Sequence, residues 1–386
     1  MKGEPYLFLP GPTPVPERVC RAMNRPMINH RGDEFKDILE DVVAGIKQIY
    51  RTRANVLIYP ASGTGGLEAA VVNFISPGDQ VLAVSIGVFG DRFAMIASNF
   101  GAVVEKMDFS WGTGADPQKI KERLAQDTDH QIKAVLITQN ETSTGAYNDV
   151  KAVREAMGDH PALLMVDAVS GLAAIELRMD EWKLDVVISG SQKAFMIPPG
   201  LSFMAFSDRA YQVHKSNTNT SYYWNVDQGM EYQLKGQTPF TPPISLYFGL
   251  HEALQMMAEE GLDNVIARHT AYRDLVRASL RALGLKLLTE DRYASAAVTS
   301  VIAPPEIGAN QIRKYMFDQF NIILAGGQQS LDNVVFRVGH LGYIRELDLL
   351  SVLAALEITL LHFKFPLELG TGLKIAQKAI FDMHQQ

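Results

Sequence analysis

The 386-residue chain contains a single cysteine, Cys20, so no internal disulfide can form and a reducing compartment is expected. It has no apolar run long enough to span a bilayer, and prolines at positions 5, 10, 12, 14 and 16 interrupt the helix that a signal peptide needs. The last residues carry no peroxisomal or prenylation signal. These absences predict a cytoplasmic protein without a membrane partner.

Signatures of nucleic-acid and metal binding are missing as well. The formal net charge is −7 and no basic stripe is present, so no nucleic-acid partner is expected. The nine histidines do not fall at His-x-x-x-His spacing, and no Gly-x-Ser-x-Gly motif occurs. The sequence therefore predicts no metal site.

The chain of 386 residues is long enough to form two domains with a large core.

Short apolar segments alternate with helical patterns between residues 34 and 206. We predict strands at 56–59, 80–85, 103–109, 133–138, 163–167, 185–188 and 201–206, and helices at 34–50, 67–74, 91–100, 116–125 and 148–157. This order predicts a mostly parallel sheet sandwiched by helices. Ligands of such sheets bind at the carboxyl ends of the strands. We therefore expect one crevice to collect the polar segments 62–64, 87–90, 140–145, Asp167 and 191–193.

The chain is predicted to have four parts. They are an N-terminal arm (1–25), a large α/β domain (26–262), a smaller C-terminal α+β domain (263–364) and a C-terminal extension (365–386). The arm should not be helical because of its prolines, and residues 10–14 should be either an extended segment laid over the protein or a disordered tail. Residues 214–243 lack periodicity and should form a functional or interface loop. The extension should carry a helix packed on the surface or on a neighbouring subunit.

Two helical patterns, 244–260 and 262–283, end at glycines, and the second of them leads into the smaller domain. Its predicted elements are strands at 286–288, 298–302, 322–324 and 334–338 and helices at 310–320 and 347–361.

Lys193 lies on a polar turn, 189–200, between two predicted core strands. Desolvation there would lower the pKa of the lysine and leave some free amine, which a Schiff-base lysine needs. A solvent-exposed loop lysine is the alternative that this turn leaves open.

A Gly/Ser/Thr turn, 60–66, separates a predicted strand from a predicted helix. Free backbone N–H groups and the helix dipole would bind an anion there. The Gly-Lys-Ser/Thr of a nucleotide P-loop is missing, which favours a cofactor phosphate over ATP. A tight turn with an ordinary helix cap is equally compatible with this sequence.

Three further residues suit a pyridine cofactor and its substrate. Asp167 ends an apolar strand and could pair with a protonated pyridine nitrogen, or cap the next turn. Phe89 lies on a glycine-flanked turn and could stack on the ring, or belong to the core. Arg337 lies in an apolar strand and needs an anion, which could be a substrate carboxylate or a structural ion partner.

With these residues the chain resembles the class V (fold type I) pyridoxal-phosphate aminotransferases, and among them the alanine–glyoxylate and serine–pyruvate or serine–glyoxylate group. The resemblance extends from Pro10 to about residue 362. Ser-Gly-Ser-Gln-Lys-Ala at 189–194, followed by Pro-Pro-Gly at 198–200, carries it. Val-Asp-Ala-Val-Ser at 166–170 and Glu-Thr-Ser-Thr-Gly at 141–145 support it. It implies pyridoxal 5′-phosphate as the cofactor.

The resemblance also implies roles for individual positions. Lys193 would be the catalytic Schiff-base lysine, and Asp167 would be the catalytic partner of the pyridine nitrogen. Further cofactor contacts are implied for Ser62, Gly63, Thr64, Phe89, Thr142 and Gln192 and, from the second subunit of a homodimer with shared active sites, for Thr238 and Thr241. Arg337 and Gly11 would bind the substrate.

The implied reaction moves the amino group of alanine or serine to glyoxylate or pyruvate. A cysteine desulfurase or selenocysteine lyase is one alternative, but Cys20, just after the arm, is the only cysteine. A phosphonate or phosphoserine aminotransferase would need a dedicated second anion site, which we do not find. A non-catalytic subunit of a larger complex is a further alternative. The complete set Lys193, Asp167, Gln192 and Arg337 argues against it.

Overall fold

The computed structural model describes residues 3–385. The strands in this part of the chain are β1 (Tyr6–Phe8), β2 (Asn55–Tyr59), β3 (Gln80–Ser85), β4 (Val103–Asp108), β5 (Ile132–Thr138), β6 (Asn140–Glu141), β7 (Ala146–Tyr147), β8 (Leu163–Asp167), β9 (Val186–Gly190), β10 (Ser202–Phe206), β11 (Lys286–Leu287), β12 (Val298–Ile302), β13 (Ile322–Gly326) and β14 (Val335–Gly339).

The α-helices in the same residues are α1 (Glu17–Met23), α2 (Asp33–Tyr50), α3 (Gly63–Phe74), α4 (Val88–Asn99), α5 (Pro117–Ala125), α6 (Val150–Met157), α7 (Asp208–His214), α8 (Val226–Leu234), α9 (Ile244–Glu260), α10 (Leu262–Ala282), α11 (Ala309–Phe320), α12 (Glu346–His362) and α13 (Thr371–Met383). No helix in residues 3–385 is long and apolar enough to cross a membrane.

The larger sheet has seven strands in the order β2–β10–β9–β8–β5–β3–β4. The pairs from β9 to β4 are parallel, and β10 alone runs antiparallel to its neighbours β9 and β2. Strand β8 is buried along its whole length, as expected for a sheet covered on both faces. The predicted mostly parallel α/β sheet is therefore confirmed.

Helices cover both faces of this sheet because each presents an apolar stripe to it. Phe35 of α2 and Phe248 of α9 belong to the apolar cluster on one face. Leu67 of α3 and Phe93 of α4 belong to the cluster on the other. The carboxyl ends of the parallel strands are left free for a binding site.

The smaller sheet has the order β1–β13–β14–β12–β11 and a hydrophobic cluster of its own, which includes Phe8, Val276 and Phe336. Strand β1 comes from the N-terminal arm and pairs in parallel with β13. The arm is therefore an ordered part of the protein and not a disordered tail. The domain boundaries proposed from the sequence stay a prediction.

Three predictions about individual helices were wrong. Helix α1 lies in the arm, which we expected to be non-helical. It can form because its residues follow the last proline of the arm, Pro16, which stands at the N-cap. Helix α8 interrupts the predicted loop 214–243. Its N-cap, Asn225, accepts a hydrogen bond from the Gln228 N–H, but only Val226 and Gly229 are buried, so apolar periodicity is weak.

The third error concerns the start of the helices beside the crevice. Helix α3 begins at Gly63 and not at Leu67, and α4 begins at Val88 and not at Asp91. Glycines in a first turn hide the start of a helix from periodicity arguments, because they carry no side chain.

The C-terminal extension folds back on its own chain. Helix α13 packs on α10 and α12, and Ala376 at its centre is buried. The Glu357 carboxylate of α12 accepts hydrogen bonds from the N–H groups of Gly370 and Leu373 at 2.5 and 2.8 Å. The prediction of a helix packed on the surface is confirmed.

Candidate active site

The polar segments that follow β3, β5, β8 and β9 meet in one crevice. The Gln139 N–H donates to the Asp167 carbonyl at 2.8 Å, which links the segments after β5 and β8. A Cβ atom placed on Gly190, at the end of β9, would lie 3.4 Å from the Gly63 nitrogen of α3. The predicted convergence at the carboxyl edge of the sheet is thus present.

Lys193 is only 9% exposed, because its turn folds back between β9 and β10. The Ser191 hydroxyl fixes this turn by donating to the Pro198 carbonyl at 2.8 Å. The lysine Nζ donates to the Pro10 carbonyl at 2.7 Å. Burial lowers the pKa of Lys193 to about 8, although the nearby Asp167 charge opposes this shift. The alternative of an exposed loop lysine is therefore wrong.

The N-terminal arm crosses directly over Lys193. Thr13 binds the turn twice, since its N–H donates to the Gln192 carbonyl at 3.2 Å and its hydroxyl to the Lys193 carbonyl at 2.9 Å. Gly11 has a φ of 126°, and a Cβ atom there would lie 2.5 Å from Lys193 Nζ. Residues 10–14 are thus the extended segment laid over the protein, and only glycine fits beside the lysine amine.

Asp167 is 3% exposed at the end of β8. Burial raises the pKa of its carboxyl to about 6, while a 3.0 Å hydrogen bond from the Val169 N–H and the charge of Lys193 act in the opposite direction. The bond to Val169 is the local turn cap expected as one alternative. The charge of the same carboxyl raises the pKa of the Lys193 amine, so the cap does not remove Asp167 from the site.

The first turn of α3 offers an anion site. Ser62 precedes it, is exposed, and makes no side-chain hydrogen bond to cap the helix. The N–H groups of Gly63 and Thr64 begin the helix and have no intrahelical acceptor. Beside them the Gln192 Oε1 atom is buried without a hydrogen-bond partner among the described residues. The ordinary side-chain cap is therefore absent, and polar groups are left for a ligand.

Phe89 is half-buried in the first turn of α4. The Arg92 guanidinium lies 4.7 Å from the centre of its ring, and Arg92 Nη1 lies 3.4 Å from the Thr64 hydroxyl. Arg92 was not anticipated as a site residue. Its position three residues after Phe89, on the same helical face, is the signal that could have found it.

Glu141 is a second unanticipated residue, and it is completely buried. Its carboxylate accepts hydrogen bonds from the N–H groups of Phe89, Gly90 and Ser143 and from the Ser143 hydroxyl. Burial raises the pKa of this carboxyl, and the hydrogen bonds oppose the rise. Gly87, at the N-cap of α4, has no side chain to cap the helix. This glycine is the only feature of the sequence that indicates that a residue from elsewhere in the chain caps α4.

Arg337 is 6% exposed on β14. Its Nε donates to the Gly326 carbonyl at 2.8 Å and its Nη1 to the Thr142 carbonyl at 2.6 Å. Burial lowers the pKa of the guanidinium to about 10. No Asp or Glu among residues 3–385 forms a salt bridge with it, so the structural ion pair expected as one alternative is wrong. A buried cation held only by carbonyls can still bind an anion.

The structure brings Thr142 into the site but not the two later threonines. Thr142 is buried beside Arg337. The Thr238 hydroxyl donates to the Phe240 carbonyl at 2.8 Å, and the Thr238 carbonyl accepts from Arg31. Thr241 is exposed. Within residues 3–385 neither threonine forms a hydrogen bond with Lys193 or Asp167, so a contact from a second subunit stays a prediction.

These residues fit pyridoxal phosphate. They provide a buried amine, a carboxylate for a ring nitrogen, a half-buried aromatic ring and an uncapped helix N-terminus beside the orphaned Gln192 amide oxygen. The fold and the site together define a pyridoxal-phosphate enzyme of fold type I.

The chain belongs to the class V aminotransferases, since the model of the family "Aminotransferase class-V" matches residues 5–346. It is 44% identical over 363 residues to "Soluble hydrogenase 42 kDa subunit" of Anabaena cylindrica, covering 94% of each chain. It is 38% identical to "Serine--glyoxylate aminotransferase" of Arabidopsis thaliana, covering 97% of this chain and 94% of the relative.

A solved structure extends the similarity to the whole fold. It is an alanine–glyoxylate aminotransferase from Nostoc sp., with a TM-score of 0.89 and 28% identity, over 93% of this chain and 96% of the other. The protein is thus an aminotransferase that acts on amino and oxo acids with pyridoxal phosphate.

Proposed function

We propose that the enzyme transfers the amino group of L-alanine, or alternatively of L-serine, to glyoxylate. One observation carries this proposal: the buried guanidinium of Arg337, which forms no salt bridge with an Asp or Glu among residues 3–385, shares a crevice with the low-pKa amine of Lys193. An α-amino acid presents a carboxylate and an amine that match these two groups. The similarity to serine– and alanine–glyoxylate aminotransferases supports glyoxylate as the acceptor.

The residues predicted to contact the cofactor would each hold a different part of it. Lys193 would bind it covalently through Nζ, and the Asp167 carboxylate would pair with its ring nitrogen. Its phosphate would bind the segment Ser62–Thr64 and Gln192, Phe89 would stack on its ring and the Thr142 hydroxyl would bind its phenolic oxygen. When bound, pyridoxal phosphate supplies an electron sink for the negative charge that develops on the substrate α-carbon.

The substrate is oriented by groups of the chain itself. Arg337 would bind the α-carboxylate through a two-point contact, and Gly11 would leave room for it beside Lys193. The Lys193 Nζ atom, with a pKa of about 8, is in part a free amine near neutral pH. Once the substrate amine has displaced Lys193 from the cofactor, this Nζ can accept the proton of the substrate α-carbon and later donate it.

The predicted homodimer completes the site. Thr238 and Thr241 are proposed to reach the phosphate of the neighbouring subunit, which agrees with their lack of contacts to Lys193 in their own chain. The cytoplasmic location is likewise retained as a proposal.

The visible absorption spectrum of the purified enzyme tests the substrate pair. We expect the band of the lysine-bound cofactor to bleach when L-alanine is added and to return when glyoxylate follows. Bleaching by L-serine but not by L-alanine would reassign the donor. A band that no amino acid bleaches would contradict the proposed function.

A second candidate function follows from the name of one relative, a soluble hydrogenase subunit. Iron–sulfur clusters are held by several cysteine thiolates, and this chain has one cysteine. Such a role would therefore be that of a non-catalytic subunit. Co-purification of the native protein with a stoichiometric unrelated chain, together with absence of transamination, would favour it.

A further inference from the structure

The first turn of α4 is held by a carboxylate from another part of the chain. Helix α4 begins after Gly87, whose missing side chain cannot cap it. A Cβ atom on Gly87 would lie 2.6 Å from both Glu141 Cγ and the Ser143 hydroxyl, so these two side chains occupy the space of a local cap. The helix start thus depends on the segment after β5.

Glu141 and Ser143 satisfy the first three N–H groups of α4. Glu141 Oε2 accepts from Phe89 N at 2.8 Å and from Gly90 N at 3.2 Å, and the Ser143 hydroxyl oxygen accepts from Val88 N at 3.1 Å. Glu141 Oε1 accepts from the Ser143 N–H at 3.0 Å and from its hydroxyl at 2.6 Å. Both carboxylate oxygens are therefore fully used, and the backbone that carries the Phe89 ring is fixed.

The chain segment that carries Glu141 also borders the substrate-binding side of the crevice. Thr142 follows Glu141 in the chain, and its carbonyl accepts from Arg337 Nη1 at 2.6 Å. Within the part of the chain that the structure describes, Arg337 makes one other hydrogen bond, to the Gly326 carbonyl. The position of the Thr142 carbonyl therefore determines one of the two hydrogen bonds that orient the guanidinium.

We infer that Glu141 is the positioning residue that fixes Phe89 against the cofactor ring and, through Thr142, fixes Arg337 for the substrate carboxylate. This inference rests on the proposed function. The Glu141 carboxylate accepts four hydrogen bonds from the protein, and its charge raises the pKa of Asp167 and of Arg337. It acts by holding two backbone segments in one geometry.

The variant Glu141→Gln tests this inference, because it keeps the size of the side chain and removes one acceptor oxygen. The amide nitrogen of glutamine would face backbone N–H donors in a fully buried place. We expect the dissociation constant of pyridoxal phosphate and the KM of the amino donor each to rise about tenfold. We also expect the visible circular dichroism of the bound cofactor to fall, since the Phe89 ring would no longer be fixed against it.

Asp127→Asn provides a matched control. Asp127 is also buried and also accepts backbone hydrogen bonds through both oxygens, from Gln131 and Ile132, but it lies at the opposite end of β5. We expect this variant to lower Tm and to leave the circular dichroism, the cofactor affinity and the KM unchanged. If it changed these three as Glu141→Gln does, general destabilisation would explain them and the inference would be wrong.

Ser143→Ala is the second variant, for the case in which Glu141→Gln does not fold. It removes the hydroxyl that binds Glu141 and caps Val88, and we expect the same changes at smaller size. Wild-type values in a folded Glu141→Gln, or in Ser143→Ala when the first variant fails to fold, would overturn the inference. A wild-type enzyme that binds no cofactor would instead overturn the proposed function on which it rests.

Discussion

Lys193 and Asp167 form a buried pair whose pKa values are shifted toward each other. Burial disfavours the charged form of each group, so the amine has a pKa of about 8 and the carboxyl a pKa of about 6. Such converging values are typical of catalytic sites, where a group must change its protonation near neutral pH. The mutual attraction of the two charges limits both shifts.

This pair makes cofactor uptake dependent on pH. Only the neutral amine of Lys193 reacts with an aldehyde. We therefore predict that the rate of pyridoxal phosphate uptake by the cofactor-free protein rises with pH, with a midpoint near pH 8, and levels off well above that midpoint. Stopped-flow absorbance measures this rate. In Asp167→Asn the midpoint should move to lower pH, because the charge that raises the pKa of Lys193 is lost. A midpoint near the ordinary lysine value of 10.5 would contradict the buried amine.

Arg337 should not tolerate replacement even by lysine. The variant Arg337→Lys keeps the charge but loses the planar two-point contact, so we predict that KM for all α-amino donors rises about 10- to 100-fold. Steady-state kinetics with L-alanine and L-serine checks this prediction. Arg277→Lys is the control, since Arg277 is also buried but is paired with Asp291 on the smaller sheet's side of the molecule. An unchanged KM in Arg337→Lys would place the carboxylate elsewhere.

At this scale the sequence indicated residues by motif and missed those that act through long-range contacts. Lys193 and Asp167 follow predicted strands and lie within recognisable motifs. Glu141 lies in a quoted motif, but its bond to Phe89 joins residues 52 positions apart, which no local pattern can indicate. Arg92 lies one helical turn after Phe89, a local signal that was overlooked, and only its contact with Thr64 depends on folding.

Helix α3 packs so closely against the larger sheet that its first turn has no room for side chains at two positions. Its first turn contains Gly63 and Gly66, and a Cβ atom on Gly66 would lie 1.9 Å from the Ser202 hydroxyl oxygen of β10. The helix can therefore approach the sheet only because these residues lack side chains. This approach brings the free N–H groups of the helix next to Gln192.

Gly63→Ala tests the phosphate role of this element. Its Cβ would lie 2.6 Å from Val169 Cγ2 and would push the start of α3 away from the segment after β8, so we predict that cofactor affinity falls by about tenfold or more. Fluorescence titration of the cofactor-free protein measures the affinity. Gly32→Ala, at the N-cap of α2, meets neighbours only at 3.4 Å or beyond and should leave the affinity unchanged. Equal affinities in both variants would argue against a phosphate site on α3.

Strongly periodic elements could be predicted from the sequence, and their ends could not. Helix α9 has the predicted bounds, Ile244–Glu260, because an apolar stripe precedes Gly261. Helix α8 was missed since it buries few side chains. The two-residue strands β6 and β7 were also missed, because they exist only through their pairing.

On the scale of the whole molecule, the N-terminal arm connects the two sheets through the site. Strand β1 joins the smaller sheet, and Thr13 binds the Lys193 turn of the larger one. A Cβ on Gly339 would lie 2.3 Å from the Leu9 carbonyl, so the arm is also tightly packed against the end of β14. Movement of one sheet relative to the other would therefore displace the arm and, through Thr13, the turn that carries Lys193.

The proposed dimer with shared sites predicts complementation between inactive subunits. Lys193→Ala and the double variant Thr238→Ala/Thr241→Ala should each be impaired alone. Unfolded together and refolded, they should form hybrid dimers in which one site has an intact Lys193 and intact threonines from the partner. Since random pairing makes about half of the dimers hybrids and each hybrid has one intact site, transamination should recover to about a quarter of the wild-type rate. No recovery, in a mixture shown to contain hybrids, would contradict the shared site.

The central claim is that Lys193 is the residue that binds the cofactor covalently, and one measurement tests it most directly. The enzyme loaded with pyridoxal phosphate is reduced with borohydride, which makes the bond between lysine and cofactor permanent, and its peptides are then examined by mass spectrometry. The account predicts the cofactor on the peptide that contains Lys193, and on no peptide of Lys193→Ala. A cofactor attached to another lysine, or to none, would contradict it.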